Sequence, residues 1–78
     1  MTAIPRATID ALNAERTIPL ERYQEDGCES RFEYLESLAE ENGVDFDVVL
    51  ALLGVLPPEE DFDGLVVMLE DYGGGYDL

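Results

Sequence analysis

Hydrophobic positions along the chain recur at helical spacing, and the strongest run lies in the last third. Between Val44 and Tyr72 one phrase is written twice. Asp45-Phe46-Asp47 precedes VVLALL, and Asp61-Phe62-Asp63 precedes GLVVML, 16 residues on, with Pro57-Pro58 between them. Each copy reads as an acidic helix start feeding an apolar helix. A carboxylate at the N-cap accepts the first free backbone N–H groups and meets the positive end of the helix dipole. With Asp45 as the cap, Val44 and Val49 take the two positions of a hydrophobic staple. Pro57 lacks an N–H and biases Leu56 away from helical geometry, so the first helix is expected to end at Leu56. The pattern predicts a C-terminal helical hairpin that forms most of the core.

The earlier pattern is weaker. Pro5 suits the first turn of a helix reaching about Arg16, with Ile9 and Leu12 as its apolar positions. Thr17-Ile18-Pro19 starts a second, short helix carrying Leu20 and Tyr23 on one side, until Asp26-Gly27 breaks it. Ser30 and Glu33 have the spacing of a capping box, so a helix is expected from Arg31 to Asn42, stopped by a left-handed Gly43. Phe32, Leu35, Leu38 and Ala39 share its inner face, and Glu33, Glu36, Glu40 and Glu41 its outer surface. The expected class is all-α: a small bundle of three to four short helices in one domain over residues 1–72, with a flexible acidic tail over 73–78. The helix from Asp45 to Leu56 is apolar nearly all round and needs cover on most sides. Either the other helices supply that cover or a second copy does, making a homodimer through Val48–Leu56.

Composition narrows the function. The chain has 78 residues, 46% of them apolar, which argues for one small folded domain. Nineteen acidic residues stand against four arginines, with no Lys and no His, for a net charge of −15. Such a surface repels nucleic acid and anionic membranes and attracts cations or basic proteins. Cys28 is alone, so no internal disulfide forms, which fits a reducing cytosol. Its acidic neighbours Asp26 and Glu29 disfavour a reactive thiolate. No apolar signal core opens the sequence, and the longest apolar stretch, Val48 to Leu56, is only nine residues.

Two local motifs compete with the helix-cap reading. Counted from Glu59, the residues Glu59, Asp61, Asp63, Gly64 and Glu70 fall at EF-hand positions 1, 3, 5, 6 and 12. However, position 1 is Glu, positions 7 to 11 are the apolar LVVML, and Pro57-Pro58 interrupts the incoming helix. The cap reading is therefore preferred, and no metal or cofactor is expected. The size, the acidity and Glu36-Ser37-Leu38 are similar to acyl carrier proteins, whose phosphopantetheine sits on the serine of an Asp-Ser-Leu motif at a helix start. Ser37 falls inside the expected 31–42 helix, where a transferase has no access. Without His or Lys, the usual base and nucleophile-activating roles are vacant, so the expectation is a protein that is not an enzyme.

What remains is a helical scaffold that displays carboxylates. Between Glu21 and Asp63 lie 14 acids and two arginines. Carboxylates spaced along helices imitate the phosphates of a duplex, and a basic groove would accept them in place of DNA. In length, charge and lack of catalytic groups the chain resembles the small acidic inhibitors of phages and mobile elements, anti-CRISPR proteins among them, several of which are DNA mimics. That resemblance implies an inhibitory binding protein in the cytoplasm of a bacterial host. Its partner would be a basic nucleic-acid-binding protein such as a CRISPR–Cas effector subunit. The candidate binding residues are Glu29, Glu33, Glu36, Glu40, Glu41, Asp45 and Asp47, with Glu59, Glu60, Asp61 and Asp63 as a second cluster. The alternative is a small regulatory or antitoxin-like module that binds through its apolar Val48–Leu56 face, with charge serving solubility.

Overall fold

The computed structural model describes residues 4–74. Among them the chain is all-helical: α1 (Arg6–Ala14), α2 (Leu20–Glu25), α3 (Arg31–Asn42), α4 (Phe46–Leu53) and α5 (Gly64–Gly74), with a 3-10 turn at Pro58–Glu60. The all-α class holds, with five α-helices among the described residues where three to four were expected. The helix α3 is the hub, packing against α1, α2, α4 and α5, while α4 and α5 form the hairpin beside it. Gly73 and Gly74 still belong to α5, and the rest of the expected tail lies outside the described residues.

Local signals account for most helix ends. Ser30 Oγ accepts from the Glu33 N–H at 3.2 Å, and Glu33 Oε1 reaches back to the Glu29 N–H at 3.0 Å, one residue before the cap. At the other end Gly43 has φ +67, Val44 donates to the Ala39 carbonyl at 3.0 Å and Gly43 to the Glu40 carbonyl at 3.2 Å. That pairing is a Schellman stop. Pro5 and Pro19 sit at the caps of α1 and α2, just outside the helices, and Gly27 takes φ +82 in the turn after α2.

The C-terminal half departs from its reading in three places. Asp45 occupies the cap of α4, but its side chain makes no capping bond. The helix ends at Leu53 and turns at Gly54, short of the prolines, with the Gly54 N–H on the Leu50 and Ala51 carbonyls at 3.2 Å. Asp61 caps nothing. The 3-10 turn carries it inward, α5 begins only at Gly64, and Glu60 Oε1 accepts the Gly64 N–H at 3.0 Å. Thus the two Asp-Phe-Asp phrases are not equivalent: Phe46 packs edge-on against Phe32, whereas Phe62 packs on Tyr23 and Tyr34. Nor is α4 exposed all round. Val49 is fully buried, and Val48, Leu50, Leu52, Leu53 and Leu56 pack half-buried against the core, leaving Ala51 and Val55 outside.

The core combines Leu12, Leu35, Leu38, Ala39, Val49, Leu65 and Leu69 with a polar knot. Arg31 and Asp61 are both inaccessible and make two parallel bonds, Nε to Oδ2 at 2.8 Å and Nη2 to Oδ1 at 3.1 Å. Arg31 Nη1 donates to the Leu12 carbonyl at 3.1 Å, the Tyr23 hydroxyl to Asp61 Oδ2 at 2.7 Å, and the Tyr34 hydroxyl to the Asp61 carbonyl at 2.8 Å. No buried side-chain polar atom among the described residues lacks a partner. Burial opposes the charge on Arg31, but the hydrogen bond and charge of Asp61 outweigh it and hold the guanidinium's pKa above its ordinary value.

Removing one partner strands the other charge in the core. Asp61→Ala is therefore expected to cost about 3–5 kcal/mol, read by urea denaturation. The paired Arg31→Met/Asp61→Leu change should recover much of that loss, and a double variant as unstable as the single one would refute the account. The tyrosines predict alkaline sensitivity. Burial, then the bond to Asp61, raises the Tyr23 pKa far above its ordinary value. Burial, then the charges of Asp26 and Asp61, raises that of Tyr34. Because the folded chain holds these protons longer than the unfolded one, their stabilisation is complete below about pH 10 and is lost progressively above it. Tyr34→Phe should flatten that alkaline decline in a denaturation series measured across pH.

Candidate acidic interface

The outer side of α3 carries the clearest constellation. Glu29, Glu33, Glu36 and Glu40 follow each other at intervals of four, three and four residues, and all are exposed. Within α3 that spacing stacks Glu33, Glu36 and Glu40 along one side, neighbours about 5–6 Å apart at Cβ, while Glu29 lies one residue before the Ser30 cap, outside the helix. Glu41 flanks the row, and Asp45 and Asp47 extend the exposed acids past the Gly43 turn into α4. The seven residues of the first expected cluster are thus all displayed on consecutive elements.

The second cluster breaks up. Asp61 is wholly buried on Arg31, so it is not a surface ligand for any partner. Glu60 is half-buried and spends an oxygen on the Gly64 N–H. Only Glu59 and Asp63 face outward, because successive residues of a tight turn leave in different directions. Those two join Glu21 and Glu25 of α2 around an open groove of about 420 Å³, which Ile18, Pro19, Arg22 and Phe62 also line. Glu21 and Glu25 were missing from the sequence-based set, although their i,i+4 spacing on α2 is the signal that places them on one face.

Cations are scarce and engaged. Among the described residues the ion pairs are Arg6–Asp10, Arg22–Glu25, Arg31–Glu15 and Arg31–Asp61, so no acid of α3 or α4 is paired. Arg16 donates to the Ile18 carbonyl at 2.6 Å. No cation occurs anywhere after Arg31 in the sequence. Since Arg31 and Asp61 neutralise each other inside the core, the net charge of −15 is carried by the rest of the chain.

The competing sites lose their geometry. The would-be calcium loop is a 3-10 turn running into α5, its position-3 carboxylate, Asp61, is taken by Arg31, and no group of acids, Cys or His among the described residues is placed to hold a metal. Ser37 lies mid-helix, with its hydroxyl donating to the Tyr34 carbonyl at 3.1 Å, so it is not at a helix start. Cys28 is a buried residue of the α2–α3 connection. No helix among the described residues is long and apolar enough to cross a membrane.

No family model, curated protein or solved structure matches this chain. Function is therefore argued from the surface alone. Besides the acids, four large apolar side chains of α5 and the turn after α4 are exposed, Val55, Val67, Met68 and Tyr72, at 72, 56, 38 and 51%.

If the α3 row is under mutual repulsion, one reversed charge should relieve it. Glu36→Lys, placed three residues from Glu33 and four from Glu40, is expected to raise Tm by roughly 1–3 °C at low ionic strength. The gain should shrink as salt is added, because exposed charges are screened. Unchanged or lower thermal stability at low salt would show that the carboxylates of the row do not interact.

Proposed function

We propose that this protein is a non-enzymatic inhibitory binding protein whose acidic surface occupies a basic nucleic-acid-binding site in place of nucleic acid. The observation that carries the reading is the row Glu33, Glu36 and Glu40, without an ion pair, on the outside of the best-anchored helix, preceded by Glu29 and continued by Glu41, Asp45 and Asp47. Carboxylates held in a row on a rigid helix present negative charge at regular intervals, as a phosphate backbone does. A Lys/Arg groove shaped for phosphates would take such a row with little reorganisation. The high net charge adds steering: opposite fields raise the encounter rate well above that of neutral partners.

The target class is a basic DNA- or RNA-binding protein, and the resemblance to small acidic phage inhibitors makes a CRISPR–Cas effector subunit one such target. A second reading is supported by the exposed Val55, Val67, Met68 and Tyr72, which would suit a regulatory or antitoxin-like module that docks through apolar contact. Ionic strength separates the two, since charge pairing at a rim weakens steeply with salt and apolar burial does not.

The test is a pull-down from bacterial lysate with a salt-gradient elution, followed by competition against DNA for the captured protein. The wild type should release a basic nucleic-acid-binding protein at moderate salt and displace its DNA. Glu33→Lys/Glu36→Lys/Glu40→Lys should lose both abilities while its circular dichroism stays helical. Undiminished capture by the triple variant would sink the mimicry reading, and a salt-resistant neutral partner would favour the apolar module.

A further inference from the structure

We propose that the groove between α2 and the Pro58–Glu60 turn is an arginine slot, and that its occupant is an arginine-bearing segment of the basic protein partner. This deepens the reading above and rests on it. The groove joins an apolar floor to an acidic rim: Ile18, Pro19 and Phe62 lie among Glu21, Glu25, Glu59 and Asp63. Its volume of about 420 Å³ sets it apart from the outer row of α3, which is a convex helix face. A row on a convex face attracts any cation through solvent. A recess with an aromatic wall instead selects by shape.

The slot already shows how it handles a guanidinium. Arg22 stands with its guanidinium carbon 4.1 Å from the centre of the Phe62 ring and Nη1 3.9 Å from Glu25 Oε1, and the side chain keeps 47% of its exposure. The ring is held from behind by Tyr23 at 5.0 Å and Tyr34 at 4.4 Å between centroids, and both tyrosines are anchored on Asp61. Phe62 is therefore a fixed platform. Four carboxylates face this single arginine, and Glu21, Glu59 and Asp63 have no ion pair. The charge balance leaves room for more positive charge. Its chemistry favours arginine over lysine, because a planar, weakly hydrated guanidinium forks onto the rim carboxylates and competes with Arg22 for the Phe62 face, whereas an ammonium is a strongly hydrated point charge.

The experiment uses the full chain, ¹⁵N-labelled, titrated at low salt with a capped peptide of alternating arginine and glycine and with its lysine counterpart. Saturable amide shifts are expected at Ile18, Glu21, Glu25, Glu59, Phe62 and Asp63, with the arginine peptide binding about threefold or more tighter than the lysine one. Glu59→Gln/Asp63→Asn should weaken binding by about tenfold. Arg22→Gln should tighten it by about two- to fivefold by clearing the ring, whereas Arg6→Gln, which changes net charge equally at a distant site, should do far less. Saturating shifts confined to Glu29–Glu40 would overturn the slot while leaving the acidic-surface reading in place. Saturation nowhere would overturn both, and equal affinity for the two peptides would overturn the arginine assignment.

Discussion

A single buried ion pair gives this chain its arrangement. The guanidinium of Arg31 binds the Asp61 carboxylate with two hydrogen bonds and the α1 backbone with a third, and the Tyr23 and Tyr34 hydroxyls complete the shell from α2 and α3. Four segments therefore meet at this one residue pair. Charges taken out of water are costly, and mutual attraction compensates only when every remaining donor and acceptor is met. Here every donor and acceptor is met. The pair acts chiefly as a register device: it fixes where the 57–63 connection lies on α3, and with it the start of α5.

The same pair governs the electrostatics outside. With so few cations, an arginine inside the core is one that cannot relieve the surface, yet its partner is also an acid, so the charge carried by the rest of the chain is unchanged at −15. The two sides of α3 then do different work. Its inner stripe of Arg31, Tyr34, Leu35, Leu38 and Ala39 anchors the fold. Its outer row carries unpaired carboxylates. A helix held this firmly from within tolerates repulsion along its outside, and a rigid row costs less to dock than one that must first be ordered.

Phe62 links the two. It faces the groove, where Arg22 lies on it, and its ring rests on the tyrosines that bond to Asp61. Core and candidate slot therefore share one support, so a change at Asp61 is felt at the surface through the tyrosines and the ring.

Local chemistry was legible wherever its partners were near in sequence. Ser30 with Glu33 and Gly43 with Val44 define α3 to the residue, and the i,i+3/i+4 spacing of Glu33, Glu36 and Glu40 puts those acids on one side. Pro57 and Pro58 predict an end at Leu56, but α4 ends at Leu53 and the chain turns through Gly54 in the ordinary right-handed region, three residues before the prolines. Asp61 departs furthest from its local pattern. Its phrase copies that of Asp45, and nothing local separates a cap carboxylate from a core one. The available signal was Arg31, a charge standing on the apolar stripe of α3 and in need of a buried partner. The sequence by itself determined helical content, the ends of α3 and the acidic row, because these rest on bonds spanning three to five residues. Only the tertiary structure decided that Asp61 turns inward and that Glu59 and Asp63 meet Glu21 and Glu25. Those outcomes depend on residues some 30 to 40 positions apart in the chain, brought together by packing.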